Sequence, residues 1–179
     1  ARIYATGLSN GSMMAYRLAA EAPARIAAVA GVAGAMTLPG FAPSLPLPVM
    51  HIHSVDDPRA FYNGGLGPHF PFTNTRVLHQ PVDAMLSQWL AFNACPAQPQ
   101  VSGPVGGKPG AQDAAHTATR YTYAPCRNGT EVVLWKLTGA GHVWPGGLQD
   151  YLTLILGAST TVIDANAEIW RFFQRFRRD

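Results

Sequence analysis

Near the start of the chain, Gly7-Leu8-Ser9-Asn10-Gly11 places a serine with a glycine two positions away on either side. A serine carried on a tight strand-to-helix turn has a strained, crowded backbone, so neighbours without a β-carbon suit it. Such a turn lifts the hydroxyl above the end of a sheet, at the positive N-terminus of the next helix. There the Asn10 N–H can meet a developing oxyanion. A serine hydroxyl is a poor nucleophile unless a base takes its proton, and a histidine base needs a carboxylate to orient it. Both follow in the order Ser…Asp…His: Asp56-Asp57 after the run Val49-Met50-His51-Ile52-His53, and His142 within Gly139-Ala140-Gly141-His142-Val143-Trp144-Pro145-Gly146-Gly147. The reading is Ser9 as nucleophile, His142 as base, and Asp57 or Asp56 as the orienting acid. Trp144 is the candidate wall of a substrate pocket, an apolar ring close to the base.

Other chemistry-bearing residues take plainer readings. His51 and His53 alternate onto one face of a predicted strand, but no third ligand stands at suitable spacing. They read as hydrogen-bonded histidines of the core or rim, and no metal is expected. Met13-Met14 reads as core filling. Gly106-Gly107-Lys108-Pro109 lacks the spacing and the Ser/Thr of a phosphate loop.

The elements that must position these residues follow from periodicity. Residues 2–7 read as a short strand, 10–22 as a helix stopped by Pro23, and Ile26 to Val32 as a buried parallel strand. A Pro-, Gly- and Leu-rich connection leads to the strand at Val49 to His53. Residues 54–80 form a long loop without regular structure, and a loop of that length is expected to be functional. Val82, Met85, Leu86, Trp89 and Leu90 mark a helix over Pro81 to Asn93, followed by a flexible exposed stretch from Ser102 to Gly110. Arg120 to Ala124 and Glu131 to Leu137 read as strands joined around Asn128-Gly129, a hairpin signal. Asp164 caps a last helix with Ile169, Phe172, Phe173 and Phe176 on one face. The order strand–helix–strand–strand–helix–hairpin–helix predicts a single α/β layered domain over residues 1–179.

Composition narrows the class. The chain has 179 residues, 47% hydrophobic and 13% charged, and the charged share is about half the usual ~25%. That excludes a disordered tail and a charge-driven nucleic-acid binder. The net charge of +3 owes much to Arg171, Arg175, Arg177 and Arg178. They are expected in the last turns of the final helix, complementing its dipole. No apolar stretch of about 18 residues occurs, so no membrane span is expected. The first residues do not read as a signal peptide but as the middle of a domain. Two cysteines, Cys95 and Cys126, each beside a proline, suit one disulfide in an exported protein, with a reduced pair left open.

Several stretches resemble the esterase/polyhydroxybutyrate depolymerase family of α/β-hydrolases, which includes feruloyl- and acetylxylan-esterase-like members and lipoproteins. They are Gly7 to Leu18, His51 to Pro58, Tyr121 to Cys126, Gly139 to Gly147, and Ser159 to Trp170. The resemblance implies an α/β-hydrolase-type, mostly parallel sheet with flanking helices. It also implies a serine carboxylic-ester hydrolase needing no cofactor, with Ser9, His142 and Asp57 as its triad, a disulfide between Cys95 and Cys126, and a secreted or periplasmic setting. Substrates would be short-chain, aromatic-acyl or hydroxyalkanoate esters, with a polyester depolymerase or a catalytically weak binding module as the rivals. Ser54 stands where the family has Gly, and Arg59-Ala60-Phe61-Tyr62 replaces its Val-Val-Pro-Tyr-like run, so a different substrate-facing loop is expected. The family has strands before its nucleophile strand, including a loop with the second oxyanion donor. The expectation is therefore an N-terminally truncated domain with an open edge at Ile3-Tyr4-Ala5, paired in a homodimer or with the missing segment.

Overall fold

The computed structural model describes residues 1–70, 72–147 and 152–178. Its main sheet comprises β1 (Tyr4–Leu8), β2 (Ala28–Val32), β3 (Val49–Ser54), β6 (Gln100–Gly106), β7 (Thr117–Tyr123) and β8 (Val132–Thr138). Across the sheet the order is β1-β2-β3-β8-β7-β6. The first four in that order are parallel, and β7 and β6 close the sheet antiparallel. The structure is thus a mixed α/β fold with a mostly parallel six-stranded sheet, as expected for the α/β-hydrolase type.

Both faces of the sheet are covered at its centre, which is why β2 and β3 are buried at every position. Helix α1 (Asn10–Glu21) buries Ser12, Ala15, Tyr16 and Ala19, and α2 (Val82–Phe92) buries Val82, Met85, Leu86 and Trp89. Each set follows the i, i+3, i+4, i+7 pattern of one helical face, and both face Val29, Val49 and Leu134. Helix α4 (Ala165–Phe173) packs Ile169, Phe172 and Phe173 on the opposite face against Ala30, Met50 and Ile52. The Asp164 carboxylate caps it by accepting from Ala167 N at 3.1 Å. A short helix, α3 (Thr153–Leu156), precedes it beside the His142 loop.

Glycines set the closest approach of α1 to the sheet. A β-carbon on Gly31 would stand 2.3 Å from Ser12 Oγ, and one on Gly34 2.3 Å from the Ser9 carbonyl. Of the two glycines flanking Ser9, only Gly7 is sterically required: its β-carbon would meet the Gly11 backbone at 2.5 Å. A β-carbon on Gly11 would meet nothing within 4 Å.

Three further expectations change, and one holds. The stretch from Ser102 is regular: β6 pairs antiparallel with β7, with a register irregularity between Ser102 and Val105. It is exposed at every residue, so no alternation of burial marks it in the sequence. The long loop holds a two-stranded ribbon of β4 (Gly65–Leu66) and β5 (Leu78–His79). Arg171 lies in the last turn of α4 as expected, but Arg175 and Arg178 lie beyond the helix and bind specific groups: Arg175 forms a two-point pair with Glu131, and Arg178 Nε and Nη2 donate to the Ile26 and Pro46 carbonyls, both at 3.0 Å. Strand β1 is an edge strand as expected, pairing only with β2 among the described residues, and its Tyr4 side chain packs on the C-terminal segment. The Tyr4 ring stacks on Phe173 with centroids 4.6 Å apart, and its hydroxyl donates to the Phe176 carbonyl at 2.8 Å.

Cys95 and Cys126 form a disulfide, joining the residues after α2 to the turn before β8. No helix among the described residues is long and apolar enough to cross a membrane. The glycine contacts make a paired prediction. Gly7→Ala lowers unfolding stability by about 1–3 kcal/mol through overpacking against backbone. Gly11→Ala leaves stability unchanged or raises it by up to about 1 kcal/mol through helix propensity. Denaturant unfolding of the two variants checks both.

Candidate active site

Parallel pairing of β1, β2, β3 and β8 brings the carboxyl ends of β1, β3 and β8 to one edge, where open α/β sheets bind ligands. Ser9 follows β1, Asp56 and Asp57 follow β3, and His142 follows β8.

Ser9 stands between strand and helix with φ 58° and ψ −119°, a conformation that costs an L-residue strain energy and persists where its surroundings enforce it. Its N–H donates to the Val32 carbonyl at 2.8 Å, its carbonyl accepts from Met13 N at 3.1 Å, and Gly34 presses close behind it. Its side chain makes no capping bond to α1, so the hydroxyl is not engaged as an N-cap. Asn10 is the first residue of α1, and the first N–H groups of a helix have no intrahelical acceptor.

The two aspartates have different surroundings. Asp57 is buried, and its Oδ2 accepts from His142 Nδ1 at 2.8 Å, while Oδ1 accepts from the Arg59 and Ala60 backbone N–H groups at 2.7 and 2.8 Å. His53 Nε2 lies 3.4 Å from the same Oδ2. Burial alone would raise the Asp57 pKa, but hydrogen bonds from His142 and His53 outweigh it and hold the carboxyl well below the ordinary range. Asp56 turns outward, and its Oδ2 accepts from Gly139 N at 2.6 Å, bracing the loop that carries His142.

That loop is held by its backbone: Gly141 N and His142 N donate to the Ala158 and Leu156 carbonyls at 2.8 and 2.5 Å. A β-carbon on Gly141 would stand 2.1 Å from the Leu156 carbonyl, so glycine is needed for this approach. With Nδ1–H directed at an ionised carboxylate, a neutral His142 ring keeps its lone pair on Nε2.

Ser9 and His142 line one cleft of about 290 Å³. Its other walls are mostly apolar, with Ala60, Phe70, Val77, Ile155 and Leu156 among them, and two polar residues, Arg59 and His79. Trp144 is not among the described lining residues; it packs beside the α4-side core, and its Nε1 donates to Asn166 Oδ1 at 3.2 Å. His79 escaped the sequence reading, since a lone histidine on a two-residue strand carries no spacing signal. Burial lowers its pKa, and its Nδ1 is buried without a partner among the described residues. His51 and His53 are buried and hydrogen-bonded to each other at 3.0 Å.

No protein-family model matches the chain. It is 32% identical over 169 residues to a protein of Nocardia uniformis subsp. tsuyamanensis named as an esterase, NocK, covering 88% of this chain and 46% of that protein. It is 27% identical over 142 residues to a bifunctional acetylxylan esterase/xylanase, XynS20E, of Neocallimastix patriciarum, covering 79% of this chain and 18% of that protein. The chain thus spans less than half the length of either relative, and both carry the word esterase in their names.

The depressed Asp57 pKa fixes a sign for pH dependence. An ionised, hydrogen-bonded Asp57 adds its full stability above the unfolded-state pKa of about 3.9 and loses it as acid protonates the folded carboxylate. Wild-type unfolding stability therefore falls between about pH 5 and 2, and Asp57→Asn flattens that fall, as denaturant titrations across the range will measure.

Proposed function

We propose that this chain is a serine carboxylic-ester hydrolase acting through an acyl-enzyme, with Ser9 as nucleophile, His142 as general base and acid, and Asp57 as the orienting carboxylate. The observation that carries this reading is the buried Asp57–His142 hydrogen bond beside a cleft that Ser9 shares, with Ser9 on a positive-φ turn. His142 Nε2 takes the Ser9 proton as Oγ attacks the ester carbonyl. The Asn10 N–H donates to the tetrahedral oxyanion, and the imidazolium is stabilised by ionised Asp57. His142 then protonates the departing alcohol and activates water to release the acid. Asp57 takes the acid role over Asp56 because Asp56 is spent on the Gly139 backbone. The names of both relatives support ester hydrolysis.

The apolar cleft suits short-chain, aromatic-acyl or hydroxyalkanoate esters. A second reading, a polyester depolymerase, is favoured by exposed Leu66, Phe72, Leu78 and Leu154, apolar side chains on the β4–β5 ribbon segment and α3. Activity on insoluble polymer above that on soluble esters would select it. The disulfide supports an exported setting.

Turnover of p-nitrophenyl acetate tests the reading. Ser9→Ala reduces kcat to background, Asp57→Asn reduces it about 10⁴-fold by misorienting the base, and Asp56→Asn leaves it within about tenfold. Equal activity in wild type and Ser9→Ala would reject the nucleophile. A folded wild-type chain inert on every soluble ester would favour the binding-module reading.

A further inference from the structure

Behind the acid, on the α1 side of β3, lies a row of buried polar side chains that ester hydrolysis by three residues leaves unused. The Tyr16 hydroxyl stands 2.9 Å from His51 Nδ1, His51 Nε2 stands 3.0 Å from His53 Nδ1, and His53 Nε2 stands 2.7 Å from the Ala60 carbonyl oxygen. Tyr16, His51 and His53 are at most 2% exposed, so water does not take part in these bonds.

With both imidazoles neutral, one end of the row determines every proton in it. A carbonyl oxygen only accepts, so His53 must carry its proton on Nε2. Its Nδ1 is then an acceptor, and His51 must donate from Nε2. His51 Nδ1 is in turn an acceptor, and the Tyr16 hydroxyl must donate to it. Neutral His51 is required by this order, and burial together with the neighbouring His53 pushes its pKa well below the usual histidine value. The Tyr16 hydroxyl keeps its proton for the same reason, burial raising its pKa far above the usual tyrosine value.

Ala60 is the point where the row meets the site. Its carbonyl accepts from His53, and its N–H donates to Asp57 Oδ1 at 2.8 Å. The same His53 Nε2–H lies 3.4 Å from Asp57 Oδ2. With the opposite tautomer, an unprotonated Nε2 would face both the Ala60 carbonyl and the Asp57 carboxylate, and the acid turn would be repelled from β3.

We propose that His53 is a positioning residue for the acid: its Nε2–H, kept on that nitrogen by His51 and Tyr16, anchors Ala60 and so sets the Asp57 carboxylate that orients His142. This rests on the serine-hydrolase reading for its kinetic consequence, though not for its tautomers.

Two measurements on the full chain test it. Nitrogen-15 NMR of the histidine rings in the wild-type protein at neutral pH should find His51 and His53 neutral and protonated on Nε2. In Tyr16→Phe, which keeps the buried ring and removes only the donor, the His51 signals should change. Either wild-type ring protonated on Nδ1 would overturn the proposal. Kinetically, His53→Leu should lower kcat about 10- to 100-fold with little change in KM, the signature of a misplaced acid and not of lost substrate binding. His53→Gln, whose amide N–H can stand near the Nε2 position, should recover most of that loss. A folded His53→Leu with wild-type kcat, or a Gln variant no better than Leu, would overturn it. Ser9→Ala separates the two readings: if it retains activity, the hydrolase reading fails while the tautomer result stands by itself.

Discussion

A carboxylate withdrawn from water costs several kcal/mol or more unless donors replace its hydration. The Asp57 side chain meets that demand with two backbone N–H groups on Oδ1 and two imidazoles directed at Oδ2. Much of the molecule's construction can be traced from it. The backbone donors come from the tight turn from Asp57 to Ala60, His53 lies one residue before the end of β3, and His142 lies on the loop after β8. A buried anion with this set of donors remains ionised, and an ionised Asp57 holds the proton of a neutral His142 ring on Nδ1.

The sheet supplies the distances. Register between β3 and β8 pairs His53 with Lys136 and Ser54 with Leu137, so the strands end level and their loops meet. Ser9 stands two strands away, at the end of β1, on a turn that Val32 and Gly34 hold from the neighbouring strand and its extension. Helix α1 then serves twice. Its first residue is Asn10, whose N–H has no intrahelical acceptor, and its buried face brings Tyr16 to His51. A close approach of α1 to β2, possible only over Gly31, makes both available at once.

Much of this was legible from residue types and spacing. Periodicity located α1, α2 and α4 because each buries a single stripe, and the strands β2 and β3 because burial on both faces leaves continuous apolar runs. The glycines around Ser9 and His142 marked turns. Exposed or mixed elements were not legible: β6 has water on both faces, the β4–β5 ribbon is two residues wide on each side, and the arginines after α4 had no visible partner because Glu131, Ile26 and Pro46 lie far away in sequence. His79 and Arg59 entered the cleft by the path of a long loop, which no local pattern encodes.

The amino-acid sequence by itself determined the α/β class, the order of the buried elements and the residue types suited to serine chemistry, since these depend on local propensity, burial period and residue type. It favoured Asp57 over Asp56 only through a family resemblance, kept two glycines where one is sterically needed, and named Trp144 without its partner. Only the tertiary structure distinguished these. The choice between adjacent aspartates is a matter of which carboxylate lies inside the fold and which faces Gly139, a difference of direction that two like residues in sequence cannot express. The Trp144 Nε1–H bond to Asn166 is likewise beyond the sequence: a side chain's partner is set by what the rest of the chain brings beside it.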